Sequence, residues 1–421
     1  MAGHIQDRWF KTETDANGKE LRVKSDRYGT GMRYRARYVG PDGAEKSKSF
    51  PDKQKRLAEK WLSHIEADMS RGEYIDPKAS RTTFQQYAER WIAAQTTDLA
   101  TRSAVEMRLR LHAFPHIGSR PLGSFQPEHI REWTRALENT VAGATYRREI
   151  FKNASAVFTA AVDDRVIQRN PCRAASVKAP KPAPGRVKPW TPGRVFAVRS
   201  ALQERFRAMV DVGGGCGLRQ GEVFGLPADE VGFATGWLHV GFQVKLVDGH
   251  QIFAPPKGGK VRDVPLPLHV SRALTAHMAT FPATDITLPW LRPDGPKVTK
   301  RLIFTGHDGG ACRRNDFNTH AWKPALVAAG VLPAPRQGER APASREDGMH
   351  ALRHFYASVL LDAGENIRAL SQYLGHGDPG FTLRTYTHLM PSSESRTRLA
   401  VDDMYEAASR TDDGPETAQV A

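Results

Sequence analysis

Residues 374–389 read Leu-Gly-His-Gly-Asp-Pro-Gly-Phe-Thr-Leu-Arg-Thr-Tyr-Thr-His-Leu and carry His376 and Tyr386. Working back along the chain, His350 and Arg353 stand in His-Ala-Leu-Arg-His, and Arg219 stands in Gly-Leu-Arg-Gln-Gly-Glu. Two arginines, two imidazoles and a phenol are what is needed to grip a phosphodiester and attack it with an oxygen nucleophile. The non-bridging oxygens of a phosphodiester match the forked, permanently charged donors of guanidinium groups, so Arg219 and Arg353 are the expected clamp. A phenol with an ordinary pKa of about 10 is a poor nucleophile at neutral pH, but it improves when its proton can leave and the phosphate it attacks is neutralised. Tyr386 is the expected nucleophile. His350 and Arg353 are three apart on an expected helix and share a face, leaving Leu352, Tyr356, Val359 and Leu360 to point to the core. In isolation, His350 and His354 read as a structural pair on a wet helix face; Arg219 and the Tyr386 segment argue against that.

Other chemistries fail on detail. A zinc helix of the H-E-x-x-H type needs a glutamate after the first histidine, and position 351 is alanine. The Gly-Gly-Cys-Gly-Leu run around Cys216 lacks the closing glycine of a nucleophile elbow. Gly258-Gly259-Lys260-Val261 lacks the leading glycine and the Ser/Thr of a phosphate loop. The expectation is no metal and no cofactor.

The three boxes together, in this order, resemble the tyrosine recombinase family, the phage integrases in particular. The resemblance implies a lysine in a hairpin between the first two boxes, written here Pro256-Lys-Gly-Gly-Lys-Val-Arg-Asp-Val-Pro-Leu266; Lys257 matches by position, and Lys260 remains a rival. It implies transesterification: Tyr386 joins a 3′-phosphoryl end while the 5′-hydroxyl departs, with Arg219, Arg353 and His376 stabilising the transferring phosphate and Lys257 protonating the leaving oxygen. His350 either takes the Tyr386 proton or holds the phosphate, and Glu222 either braces Arg219 or is a surface residue. A type IB topoisomerase shares this chemistry, and a silent DNA-binding regulator would have lost one of the boxed residues; none is lost.

Lys and Arg outnumber Asp and Glu by 61 to 46, a net charge of +15 on 421 residues, which favours a polyanionic partner. Cys172, Cys216 and Cys312 are few and widely spaced, as in a reducing compartment. The start, Met-Ala-Gly-His-Ile-Gln-Asp-Arg, has no apolar leader, and no run approaches membrane length. The expectation is a soluble protein of the bacterial cytoplasm, associated with the nucleoid.

The chain is long enough for several cores, and the expected fold is multidomain. Residues 1–75 are read as a three-stranded sheet plus helix. In Met32-Arg-Tyr-Arg-Ala-Arg-Tyr-Val39, Met32, Tyr34, Ala36 and Tyr38 alternate with Arg33, Arg35 and Arg37. Lys46 and Lys48 share a face of the next strand, and Leu57, Trp61, Ile65 and Met69 mark a covering helix. This resembles the arm-type DNA-binding domain of phage integrases, with those five basic residues as DNA contacts; a solvated face on an edge strand is the alternative. Residues 80–178 are all helical, from the face Phe84, Tyr87, Ala88 and Trp91 to the stop at Asn170-Pro171, and look like the core-binding domain. Residues 179–189 are a Pro-rich basic linker, 190–390 a mixed α+β catalytic domain of tyrosine recombinase type with a loop at 333–349, and 391–421 a tail suited to packing on a neighbouring protomer. The resemblance further implies double-stranded DNA at core and arm sites, a homotetramer on paired sites, and a host DNA-bending factor and an excision factor as partners.

Overall fold

The computed structural model describes residues 3–14, 18–182, 187–336, 346–386, 398 and 401–406. Part of the expected linker, part of the 333–349 loop, residues 387–389 of the Tyr386 box and most of the tail lie outside the described residues. The chain divides into two compact units, Met1–Ala183 and Pro184–Ala421.

The first unit opens with strands β1 (His4–Asp7), β2 (Phe10–Thr14), β3 (Glu20–Lys24), β4 (Tyr34–Val39) and β5 (Glu45–Phe50) and helix α1 (Lys55–Ser70). β4 is the centre of a three-stranded antiparallel sheet, β1-β4-β5, and β2 pairs with β3 as a separate ribbon that the alternation pattern did not reveal. Tyr34, Ala36 and Tyr38 are buried against Ala58, Leu62 and Ile65 of α1. The buried stripe of α1 is thus rotated from the expected one: Leu57 is exposed, and Trp61 and Met69 are only partly covered. Met32, at 48 % exposure, precedes β4 and does not join its apolar face.

The second part of this unit is helical: α2 (Phe84–Ala93), α3 (Leu99–His112), α4 (Pro127–Thr140) and α5 (Ala144–Asp163). Thr83 caps α2 in a reciprocal box with Gln86, a device that stabilises a helix start by about 1 kcal/mol. Ile150, Phe151, Ala154, Val157, Phe158 and Ala161 of α5 recur at helical spacing and form the centre of the core with Phe84 and Trp133. The Asn170 amide donates to Ser155 O and Thr159 Oγ1, tying the chain after α5 back onto it.

The second unit carries α6 (Pro192–Ala201), α7 (Glu204–Gly215), α8 (Gln220–Phe224), β6 (Val231–Gly232), β7 (Trp237–Val240), β8 (Gln243–Val247), β9 (His250–Ala254), β10 (Arg262–Pro265), α9 (Leu268–Thr280), β11 (Thr284–Pro289), β12 (Lys297–Leu302), α10 (Arg314–Phe317), α11 (Lys323–Ala328), α12 (His350–Asp362), α13 (Ile367–Leu374) and α14 (Pro379–Tyr386). Asp248 and Gly249 both take positive φ and close the β8–β9 hairpin, the backbone a two-residue turn requires. The Lys257 segment is not a hairpin. β9 pairs with β8, whereas β10 pairs with β7 in a three-stranded sheet, so residues 255–261 cross from one sheet to another. On α12, Ala351, Leu352, Arg353, Tyr356, Ala357 and Leu361 are buried, while Val359 is exposed rather than in the core. Residues 401–406 are helical, with Val401, Met404 and Tyr405 exposed. Among the described residues no helix is long and apolar enough to cross a membrane.

Candidate active site

The site forms where α12 meets the ends of α7 and α13. Arg219 is the N-cap of α8, reached through Gly217, whose φ of +66° and whose 2.4 Å gap between an ideal Cβ and the Tyr356 ring both require glycine. At the other side, Gly375 ends α13 in the left-handed conformation, a common helix stop. That turn presents two successive carbonyls. Leu374 O accepts from Arg353 Nη2, and Gly375 O accepts from Arg219 Nη2 at 3.4 Å. Arg353 Nη1 also donates to Gly217 O at 2.8 Å, so one guanidinium stitches two motifs that lie far apart in sequence.

Glu222 braces Arg219, the more specific of the two roles open to it. Its side chain is fully buried and accepts from Arg219 Nη1 at 2.8 Å and from the Arg219 backbone N at 2.9 Å. The opposite side is taken by Arg262 of β10, which donates to both carboxylate oxygens at 3.1 and 2.7 Å and, through Nε, to Tyr373 O at 2.7 Å. Burial alone raises the Glu222 pKa, but the hydrogen bonds and charge of Arg262, aided by Arg219, overcome it and hold the carboxyl at about 2. Arg262 was not foreseen. Its signal was the alternation of Arg262 and Val264 on one strand face, because an arginine on an apolar face needs a buried carboxylate.

Tyr386, 2 % exposed, ends α14. Burial pushes its phenol up to about 12, opposed by the charges of Arg353 and Arg219. The Tyr386 Oη lies 2.8 Å from Nδ1 of His354, not within a hydrogen bond of His350 among the described contacts. His354 and His350 meet edge to face at 4.6 Å. His376 Nδ1 pairs with Thr382 Oγ1 at 2.7 Å, which fixes its ring beside α14. Burial first, then neighbouring cations, lower all three imidazoles: His354 to about 4, His376 to about 3, and His350 likewise downward, with Lys257 among the charges acting on it. All three are neutral at pH 7. Arg353, 1 % exposed and pressed down to about 9 by burial and Arg219, stays charged.

The structure therefore brings together Arg219, Arg353, His350, His376 and Tyr386, with Lys257 exposed in its crossing turn. Lys260 lies in the same turn, its Cε 3.7 Å from where a Cβ on Gly377 would sit.

The basic residues of the first unit are arranged differently from the expected stripe. Arg33 is held by Asp7 and Asp52, and Arg37 by Glu45; Arg35 donates to Ser47 Oγ at 2.9 Å and, among the described residues, meets no carboxylate within ion-pair distance. Cross-strand partners share a face, and Lys46 and Lys48 pair with Tyr38 and Ala36. Both lysines thus lie on the α1 side, away from the arginines. Lys46 is bonded to Asp42 and Asp76, and Lys48 lies 5.5 Å from the Trp61 ring centre.

Comparison with known proteins is consistent over both units. Residues 195–393 match the model of the phage integrase family, and residues 84–177 that of the phage integrase central domain. The chain belongs to the phage integrase family of tyrosine recombinases. This tyrosine recombinase is 24 % identical over 370 residues to the integrase of Mycobacterium phage D29, covering 84 % of this chain and 89 % of that one. It is 29 % identical over 201 residues to the tyrosine recombinase XerD of Listeria monocytogenes, covering 48 % and 53 %. In fold it resembles the Tn1549 transposon integrase in complex with circular intermediate DNA (TM-score 0.62, 20 % identity, 76 % and 99 % covered). It also resembles a lambda integrase tetramer bound to a Holliday junction (TM-score 0.53, 14 % identity, 87 % and 96 % covered). The protein is a site-specific recombinase, an enzyme that breaks and rejoins DNA.

Proposed function

We propose that this recombinase is the integrase of a phage or integrative element and that Tyr386 is the residue it joins to DNA. The observation that carries the reading is the convergence of Arg219 and Arg353 on the successive carbonyls of Leu374 and Gly375, close enough to Tyr386 that both charges act on its phenol. A phosphodiester drawn to that cationic pocket meets the phenol oxygen directly. Tyr386 Oη attacks phosphorus, the bond to the 5′-oxygen breaks, and a 3′-phosphotyrosine remains. Arg219, Arg353 and His376 stabilise the charge on the transferring group, each donor contributing about 3 kcal/mol in a site shielded from water. Lys257 supplies the proton to the departing 5′-oxygen. The ester energy is kept in the phosphotyrosine, so rejoining needs no ATP.

Double-stranded DNA is the substrate, gripped through a core site by the helical domain of residues 80–178 and the catalytic domain of residues 190–390. Arg35, which among the described residues makes no carboxylate contact within ion-pair distance, is the leading candidate contact of the amino-terminal sheet with a second, arm-type site. Assembly as a homotetramer on paired sites accords with the lambda integrase fold relative. The exposed Val401, Met404 and Tyr405 suit the tail to packing on a neighbouring protomer. A host DNA-bending factor and an excision factor complete the assembly in the cytoplasm of a bacterial cell.

The test is covalent trapping on a nicked duplex carrying the crossover sequence, read from the junctions between the element and its host chromosome. Wild type is expected to form a protein–DNA adduct that survives denaturation, and Tyr386→Phe to bind the duplex equally well and form none. An adduct with Tyr386→Phe refutes the assignment.

A further inference from the structure

We infer that His354, rather than His350, receives the Tyr386 proton as the phenol attacks DNA. The inference deepens the reading above and rests on Tyr386 being the nucleophile.

Three observations place His354 in this role. Its Nδ1 is the imidazole nitrogen that contacts the attacking atom, at 2.8 Å from Tyr386 Oη. Its ring is fixed by the helix that carries Arg353, one residue away, so the base and the phosphate clamp are presented by the same turn of α12. It is also packed edge to face against His350 at 4.6 Å, and His350 is the more exposed of the two. Neutral imidazole in the tautomer protonated at Nε2 offers Nδ1 as the acceptor of the phenol O–H.

The protonation balance of the free protein fits a base that works only in the transition state. With the phenol pushed up to about 12 and His354 down to about 4, the proton stays on oxygen until DNA arrives. As the Oη–P bond forms, the phenol oxygen becomes an ester oxygen and loses its affinity for the proton, while the incoming phosphate anion favours an imidazolium nearby. The proton then passes from Oη to Nδ1, the Oη–P bond forms, the P–O5′ bond breaks, and the 5′-oxygen takes its proton from the lysine of the crossing turn. In rejoining, His354 returns its proton to the phenol. His350 is thereby left to hold the phosphate.

His354→Asn keeps a hydrogen-bond acceptor near the Nδ1 position without a basic nitrogen, and His354→Ala removes both. In single-turnover trapping by the full-length protein on the nicked duplex, each is expected to bind DNA as wild type does. Each should form adduct at least about a hundredfold more slowly, the low end for a general base. Replacing Tyr386 by 3,5-difluorotyrosine, a more acidic phenol, should restore the His354→Ala rate by more than about tenfold while changing the wild-type rate little, because a phenol that sheds its proton by itself needs no acceptor. A merely structural role would not respond to phenol acidity. If His354→Asn forms adduct within about threefold of wild type while Tyr386→Phe is inert, the inference falls alone, as it does if difluorotyrosine changes both backgrounds equally. If Tyr386→Phe forms adduct, the nucleophile assignment falls and takes the inference with it.

Discussion

Replacing Arg262 by methionine strands a buried carboxylate and so tests the electrostatic frame of the site. Glu222 is fully buried, accepts two bonds from Arg262 and two from Arg219, and has its carboxyl held at about 2 against an ordinary value of 4.5. That depression corresponds to about 3 kcal/mol of folding free energy, since each pKa unit is worth about 1.4 kcal/mol. The folded pKa lies below the unfolded one, so the stabilisation is complete above about pH 4.5 and is lost as pH falls towards 2. In Arg262→Met, Glu222 keeps only Arg219 against its desolvation, and the loss at pH 7 should be about 3–5 kcal/mol, the range for breaking a buried ion pair from one side. Urea unfolding at pH 7 measures it. Adding Glu222→Gln removes the stranded charge and should recover at least about half of the loss. The double variant should not cleave well, because there Arg219 loses the carboxylate that aims it; a fall of about a hundredfold is expected, as for removal of one transition-state donor. An Arg262→Met protein within about 1 kcal/mol of wild type would refute the energetic argument, and a double variant that cleaves normally would refute the positioning argument.

The two lysines of the crossing turn can be separated with a duplex whose bridging 5′-oxygen is sulfur, a leaving group that needs no proton. Lys257→Ala should be slow on ordinary DNA and rescued by sulfur, and rescue of Lys260→Ala instead would transfer the role to Lys260. In the amino-terminal sheet, Arg35→Ala should flatten the salt dependence of arm-site binding by about one phosphate contact. Arg33→Ala should chiefly lower the melting temperature of the first unit, because Arg33 ties Asp7 to Asp52; a reversed pattern would show that Arg33 leaves its carboxylates for DNA.

The chemistry of the centre was legible in the chain as a string, because each box is a local requirement. Gly217 and Gly375 permit turns that other residues resist, Arg219 and Arg353 are the residue type that forks onto phosphate, and Tyr386 stands in a short helix at the end. Period-two alternation likewise marked Tyr34, Ala36 and Tyr38 as an inner face. What alternation along one strand cannot state is its register against the next. Only the pairing of Tyr38 with Lys46 and of Ala36 with Lys48 put both lysines on the helix side, and only the strand partners of β9 and β10 turned an expected hairpin into a crossing between sheets. The same limit hid His354 and Arg262. Their partners, Tyr386 and Glu222, are 32 and 40 residues away in sequence, and a contact at that separation is made by the packing of α12 and β10 against α8, α13 and α14. A sequence names the groups able to react; the fold decides which nitrogen stands 2.8 Å from the attacking oxygen.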